Sequence, residues 1–354
     1  MPPHALQGGF STLPGKEESS DRETEEELDP VHSDPKTYNK TQKNHEKENK
    51  KHTQRIRRGG AQKCVNNLSK KSINSIKIIS TNGAGIKNSK VDSLNAEVQS
   101  VQANIVTVQE THSTQKGRIK MDSKLVISEA IRKRKGGGTL VAAHEDFQPK
   151  LIEEYSEDFE LLVIELSTEN KDIRVISGYG PQEIWEEDRR LPYFIALKTE
   201  IEKAELAGRS IIIEMDSNSK LGPKYIAQDP HGMSPNGALL SGIIERHSLI
   251  VGNGSDKCKR TITRRRQTKH RCEQSVIDHV LFSQDLEKHF ESMHIDEERK
   301  HVLTRIRKTK NGIKVKESDH NVLVSEFKCK VKHDPDKQVN EVYNLKNSDC
   351  QAEF

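Results

Sequence analysis

Short apolar runs, broken by polar and glycine-bearing segments, dominate the chain from residue 73 onward. Residues 75–80, 105–108, 124–128, 138–143, 160–166, 172–177 and 210–215 are rich in Ile, Val and Leu and too short for helices, so each reads as a strand. Two further strands are expected over 276–282 and 321–327. Helical spacing appears three times. Val91, Leu94, Val98 and Val101 predict an amphipathic helix over 89–102. Phe194, Leu197 and Ile201 predict one over 191–206, with Pro192 in its first turn and Gly208 at its stop. Leu239, Leu240, Ile243 and Ile244 predict a third, capped by Asn236. The opening strand–helix–strand order indicates an α/β domain. The hairpin expected from 160–166 and 172–177 excludes a purely parallel, doubly wound sheet.

Composition sets the limits of that domain. Of 354 residues, 32% are hydrophobic and 32% charged, so part of the chain is expected outside any core. Residues 1–72 are polar, charged and poor in apolar side chains, and are expected to be a disordered arm. The basic stretch from Lys50 to Arg58 ends at Gly59-Gly60 and reads as a linker. The folded domain is expected over 73–330, with a polar tail over 331–354. Five cysteines without a CxxC pair argue against a disulfide framework. Cys258, His270 and Cys272 lack the fourth ligand that structural zinc requires. No apolar run is long enough to span a membrane, and no signal-peptide pattern opens the chain. An intracellular, nuclear or cytoplasmic monomer is therefore expected.

The residues with chemical potential sit at strand ends. Asp216 and Asn218 follow the apolar run 211–215, and two residues apart in extended chain they project to one side. Asn82, Glu110, Tyr179, Asp278 and the pair Asp319-His320 occupy matching places at the boundaries of other strands. Open α/β sheets gather such residues on one rim. Carboxylates and amides are hard oxygen ligands, suited to Mg²⁺ or Mn²⁺. Any one of these residues alone is more simply a solvated turn, and the weight lies in the set.

The motifs Thr-Asn-Gly (81–83), Gln-Glu-Thr (109–111), Tyr-Gly-Pro (179–181), Asp-Ser-Asn (216–218), Ser-Val-Ile-Asp-His (275–279) and Ser-Asp-His (318–320) resemble, in this order, those of the endonuclease/exonuclease/phosphatase superfamily. Within it the chain is most similar to the endonuclease domain of non-LTR retrotransposons. The resemblance implies a four-layer α/β sandwich of two mixed β-sheets flanked by helices, and a Mg²⁺-dependent endonuclease acting on DNA. It implies that Glu110 holds the metal with Asn82 and Asp319 nearby, that His320 contacts the scissile phosphate and that Asp278 orients His320. It also implies that Asp216, held by Asn218, activates water, and that Tyr179 contacts the phosphate or leaving group. Thr81, Met215 and Gln182 depart from the residues common in relatives, without removing a catalytic group. No reverse-transcriptase region follows in the chain, so a reverse transcriptase acting in trans is the implied partner. The competing readings are a catalytically silent, nucleic-acid-binding transposon remnant and a phosphatase of phosphoinositides or other small phosphoesters.

Net charge is only +4, but basic residues cluster. Lys257, Lys259, Arg260, Arg264, Arg265, Arg266, Lys269 and Arg271 precede the Asp278 strand, and Arg299, Lys300, Arg305, Arg307, Lys308, Lys310, Lys314 and Lys316 precede Asp319. Both segments are expected to open on the catalytic rim and contact phosphate. Aromatic residues make up 4% of the chain, so stacking on single strands is not the obvious mode.

Overall fold

The computed structural model describes residues 73–332, except 87–88, 113–124, 131–136, 153–158, 269–270 and 310–311. The expected arm over 1–72 and nearly all of the 331–354 tail lie outside the described residues, as do Lys269 and Lys310. In chain order the strands are β1 (Ile76–Asn82), β2 (Ile105–Gln109), β3 (Leu125–Ala130), β4 (Thr139–His144), β5 (Lys150–Leu151), β6 (Leu161–Leu166), β7 (Ile173–Tyr179), β8 (Ser210–Asp216) and β9 (Ile250–Val251). They continue with β10 (Cys258–Lys259), β11 (Arg264–Gln267), β12 (Cys272–Ser275), β13 (Asp278–Phe282), β14 (Phe290–Ile295), β15 (Thr304–Thr309), β16 (Gly312–Glu317) and β17 (Leu323–Phe327). The helices are α1 (Ser89–Val101), α2 (Glu187–Leu206) and α3 (Pro235–Arg246).

Seven strands form one sheet in the order β10-β14-β17-β1-β2-β4-β3, and six form another in the order β5-β6-β7-β8-β13-β9. Both are mixed. β1 and β2 run parallel around the α1 crossover, and β7 and β8 run parallel around α2. β1–β17, β8–β13 and β6–β7 are antiparallel.

Side-chain alternation sorts the core into three apolar layers. Ile76, Ile78, Ile105, Val175, Ile212, Val280, Phe282 and Phe327 share the layer between the sheets. Ile79, Val106 and Val108 point the other way and pack with Leu94 and Val98 of α1. Ile211, Ile213 and Met215 do the same against Phe194, Leu197 and Ile201 of α2 and Leu240 of α3. The result is the four-layer arrangement expected from the resemblance: helix, sheet, sheet, helices.

The inter-sheet layer is not uniform. Along β1 its inward positions read Ile76, Ile78, Ser80, Asn82; along β2, Ile105, Thr107, Gln109; along β7, Ile173, Val175, Ser177, Tyr179. β8 gives Ile212, Glu214, Asp216, and β13 read backward gives Phe282, Val280, Asp278. Each strand is apolar at one end and polar at the other, and the polar ends coincide. This gradient places the site.

Several local expectations are corrected. α2 begins at Glu187, so Pro192 lies inside the helix rather than in its first turn. Ser234, not Asn236, caps α3: its hydroxyl accepts from Gly237 N at 3.2 Å while Pro235 takes the first helical position. The two basic segments are largely not loops but antiparallel hairpins, β11–β12 and β15–β16.

Candidate active site

The parallel strands β1, β2, β7 and β8 deliver Asn82, Glu110, Tyr179 and Asp216 at or just beyond their C-terminal ends. Tyr179 pairs with Asp216 across β7–β8, and Asp216 pairs with Asp278 across β8–β13. Asp319 and His320 arrive from the other sheet, just before β17. All eight residues expected at the site therefore lie at one end of the sandwich.

Specific contacts join the two sheets there. Asn82 Nδ2, from the first sheet, donates to Asp216 Oδ2, from the second, at 2.7 Å. Asn82 Oδ1 accepts from Ala84 N at 2.8 Å, and the side chain also lies near Glu110 and favours its charged form. His320 Nδ1 lies 3.0 Å from both Asp278 oxygens, and its Nε2 faces Asp216 Oδ2 at 3.8 Å, longer than a hydrogen bond. Asn218 holds Asp216 through its backbone, with N–H donating to Oδ1 at 3.1 Å. Its side chain instead donates to Gly180 O at 2.9 Å, tying the Tyr-Gly-Pro loop to the end of β8. Gly180 is required there, because a Cβ would come within 2.3 Å of Ser217 O.

Glu110 has φ 54, an uncommon conformation for a residue with a carboxylate side chain. The surrounding backbone enforces it. Gly85 N donates to Glu110 O at 2.8 Å, and Thr111 N donates to Gly138 O at 3.1 Å. Strain of this kind persists only where neighbours over-determine it.

The electrostatics follow from burial and crowding. Burial pushes the Asp216 carboxyl up to about 7, and the adjacent Asp278 charge adds to this; His320 and Asn82 act in the opposite sense. Burial opposes charge on His320, but Asp278 and Asp216 outweigh it and raise the imidazole to about 9. Burial works against the charge of Glu110 too, yet bonds from His112 and Asn82 and the nearby imidazoles hold it below the usual carboxylate range. Asp319, despite burial, is held low by His320 and Arg264. Burial raises the Tyr179 hydroxyl well above its ordinary value, and Asp216 and Glu110 add to it.

A cation-binding role can be tested against this donor set. Asp216, Asp278 and His320 bring ligand atoms within 4.8 Å of one another, the only such group among the described residues. Within this group His320 already engages both Asp278 oxygens through Nδ1, which leaves its Nε2 facing Asp216. Glu110 is the more open candidate: it is held below the usual carboxylate range and is a quarter exposed, with His112 Nε2 at 3.0 Å, in a site where its carboxyl and those of Asp216, Asp278 and Asp319 face His320 and Arg264. That excess of negative charge suits a divalent cation with oxygen ligands.

Three supporting residues are not among the candidate site residues expected from the sequence. Arg264, which the sequence shows only as one member of a basic segment, donates through Nε to Asp319 Oδ2 at 2.8 Å. Ser318 Oγ donates to Asn82 O at 3.0 Å and accepts from His320 N at 3.2 Å, linking β1 to the histidine. Thr263 Oγ1 accepts from Ile277 N and Asp278 N at 3.0 and 3.1 Å. Ser318 is legible from its place in the Ser-Asp-His motif, whereas nothing local marks Thr263.

The basic segments are less available than their count implies. Arg260 pairs with Glu298, Arg265 with Glu297, Arg271 with Glu273, Arg299 with Glu317 and Lys300 with Glu298. Arg266, two residues along β11 from Arg264, and Lys259, on the edge strand β10, remain exposed. Most side chains of the β15–β16 hairpin lie outside the described residues.

Beside Tyr179 opens a cavity of about 220 Å³, lined by Phe159, Glu160, Pro181, Trp185, Arg189, Pro192 and Tyr193. No helix among the described residues is long and apolar enough to cross a membrane.

No protein-family model and no curated protein matches the sequence. Solved structures do match the fold. The catalytic domain of APE2 from Xenopus laevis aligns with TM-score 0.54 and 16% identity, over 73% of this chain and 94% of that one. An AP endonuclease, LMAP, from Leishmania major aligns with TM-score 0.54 and 11% identity, over 72% and 88%. An AP endonuclease from Archaeoglobus fulgidus aligns with TM-score 0.52 and 17% identity, over 71% and 99%. The two mixed sheets flanked by helices are the fold of the endonuclease/exonuclease/phosphatase superfamily, the one that the six sequence motifs resemble.

Proposed function

We propose that the chain is a divalent-cation-dependent phosphodiester hydrolase that nicks DNA, in the manner of retrotransposon target-site cleavage. The observation that carries this reading is the Asn82–Asp216 bond between the sheets, with the Asp278-held imidazole of His320 facing the same carboxylate. Hydrolysis at phosphorus needs a base for water, charge relief on the non-bridging oxygens and a stabilised leaving oxygen.

Asp216, raised to about 7, is poised as the base. It takes one proton from the attacking water as the new P–O bond forms and the P–O bond to the leaving oxygen breaks. His320, charged through neutral pH, donates from Nε2 to a phosphoryl oxygen. Tyr179, kept protonated, offers a hydroxyl donor on the same rim. Mg²⁺ or Mn²⁺ held by Glu110, with Asp319 and Asn82 nearby, would supply further charge neutralisation. Arg264, which reaches Asp319, and the exposed Arg266 on the same strand support nucleic acid as the substrate. The many internal acid–base pairs point to a shallow salt dependence, with few released counterions.

Magnesium is expected to support conversion of supercoiled plasmid to nicked circles. EDTA abolishes it, and Glu110→Gln slows it by about 10²-fold or more, the usual scale for losing one group that stabilises transition-state charge. Phosphate release from soluble inositol phosphates, with plasmid left intact, would replace the nuclease reading with the phosphatase one. DNA binding without turnover in Mg²⁺ or Mn²⁺ would replace it with the silent remnant.

A further inference from the structure

Glu214 is a fully buried carboxyl that none of the chemistry above uses. It precedes Asp216 by two residues on β8 and so faces the same inter-sheet layer. Ser325 Oγ, from β17 in the other sheet, donates to its Oε1 at 2.6 Å. Ser80 of β1 also faces the carboxyl, although Oε2 makes no bond within hydrogen-bond geometry among the described residues. Gln109 Nε2 crosses between the sheets to Ser177 Oγ at 3.3 Å and Glu214 O at 3.5 Å, and lies 3.4 Å from Ser80 Oγ.

Four of the five members of this cluster lie within two residues of a site residue in sequence. Ser80 leads to Asn82, Gln109 to Glu110, Ser177 to Tyr179 and Glu214 to Asp216, while Ser325 follows His320 into β17. The site straddles two sheets, and an apolar layer is a non-directional contact that does not fix their offset. Hydrogen bonds do fix it, because they weaken steeply outside a narrow range of distance and angle. A carboxyl is a costly group to bury, so its presence here calls for a return elsewhere.

We propose that Glu214 is a positioning residue: bonded across the sheets to Ser325, it sets the offset at which Asp216 meets Asn82 and His320. The inference rests on the proposed nuclease reading. Burial pushes the Glu214 carboxyl up to about 8, against the opposing bond from Ser325 and the facing Ser80 hydroxyl, so it stays protonated at neutral pH. On the inner faces of β1, β2, β4, β6, β7, β13 and β17 the titratable groups are Tyr179 and Asp278, and Asp216 stands on Glu214's own strand.

The test compares the full chain with Glu214→Gln and Glu214→Leu, reading kcat and KM for plasmid nicking and Tm across pH 5–9. Leu removes the bonds and the buried polar group together. It is expected to keep or raise Tm while lowering kcat by at least about 10-fold with KM within about 2-fold, the pattern of an interaction needed only in the transition state. Gln keeps the shape and the acceptor and is expected to retain kcat within about 3-fold. Because the folded carboxyl is raised, its stability contribution is lost as pH rises from the ordinary glutamate value through about 8. The Tm of Glu214→Gln should therefore gain on wild type over that interval. Wild-type kcat in the Leu variant, loss of Tm in step with kcat, or a pH-independent Tm gap each overturns the proposal while leaving the nuclease reading intact. Absence of nicking by wild type removes the nuclease reading and this inference together.

Discussion

Asp216→Asn is expected to slow DNA nicking by about 10²–10⁴-fold, the range contributed by a positioned general base. The variant removes the proton acceptor but keeps an oxygen for the bond from Asn82, so the sheets stay joined at the site. Its stability should respond to pH in a way that a disrupted fold would not. The folded Asp216 carboxyl stands at about 7, above its ordinary value of 3.8. Stability from this group is fully present below the ordinary value and is lost as pH rises through about 7. The Asn variant lacks that loss, so its Tm should gain on wild type between about pH 4 and 7. Thermal melts at closely spaced pH check this, and an unchanged Tm difference across the interval contradicts the buried-base assignment.

Asp278→Asn is expected to cost about 10²–10³-fold in kcat at pH 8, on the scale of losing one charged donor at the phosphate, and it also removes the charge that helps to raise Asp216. Asp278 makes both Nδ1 contacts at 3.0 Å, and its charge does more than any other neighbour's to favour the imidazolium. Without it, only Asp216 and Asp319 remain to offset burial, so His320 loses its proton at a lower pH. In wild type, activity that needs charged His320 should persist until pH approaches about 9. In the variant the alkaline limb of the pH–rate profile should move down by more than about one unit. Stability linked to His320 runs in the same direction: present below its ordinary value of 6.5 and lost as pH rises through about 9. A variant whose alkaline limb stays in place would show that His320 does not act as a cation.

Much of this arrangement is legible in the chain without coordinates, for a definite reason. Strands of the inter-sheet layer must present apolar side chains at alternate positions, and that alternation is visible in Ile76-x-Ile78 and Ile173-x-Val175. Where the inward positions turn polar, at Ser80, Gln109, Ser177 and Glu214, the buried layer ends and the site begins. Asn82, Glu110, Tyr179, Asp216, Asp278, Asp319 and His320 stand at strand ends by the same logic, and the structure gathers them at one end of the fold.

Other features stay hidden in the sequence because their causes are not local. β11 (Arg-Arg-Arg-Gln) and β12 (Cys-Glu-Gln-Ser) have no apolar alternation, since they bury little, and their pairing register alone makes them strands. The arginines that look like a phosphate-binding row are paired with acids far along the chain, as in Arg265–Glu297 and Arg260–Glu298. Pro192 points to a helix start by its usual preference, yet α2 begins five residues earlier and accommodates it. The resemblance has Asn218 holding Asp216, and the hold comes from its backbone N–H, because the side-chain amide is engaged with Gly180 O.

The decisive measurement is single-turnover nicking of supercoiled plasmid at saturating Mg²⁺ by wild type, Asp216→Asn and His320→Ala, with duplex affinity measured alongside. An Asp216 base and a His320 phosphate donor predict nicking by wild type, rates at least about 10²-fold lower in both variants, and equal DNA affinity for all three. Intact supercoils with wild type, or equal rates from all three proteins, would contradict both assignments.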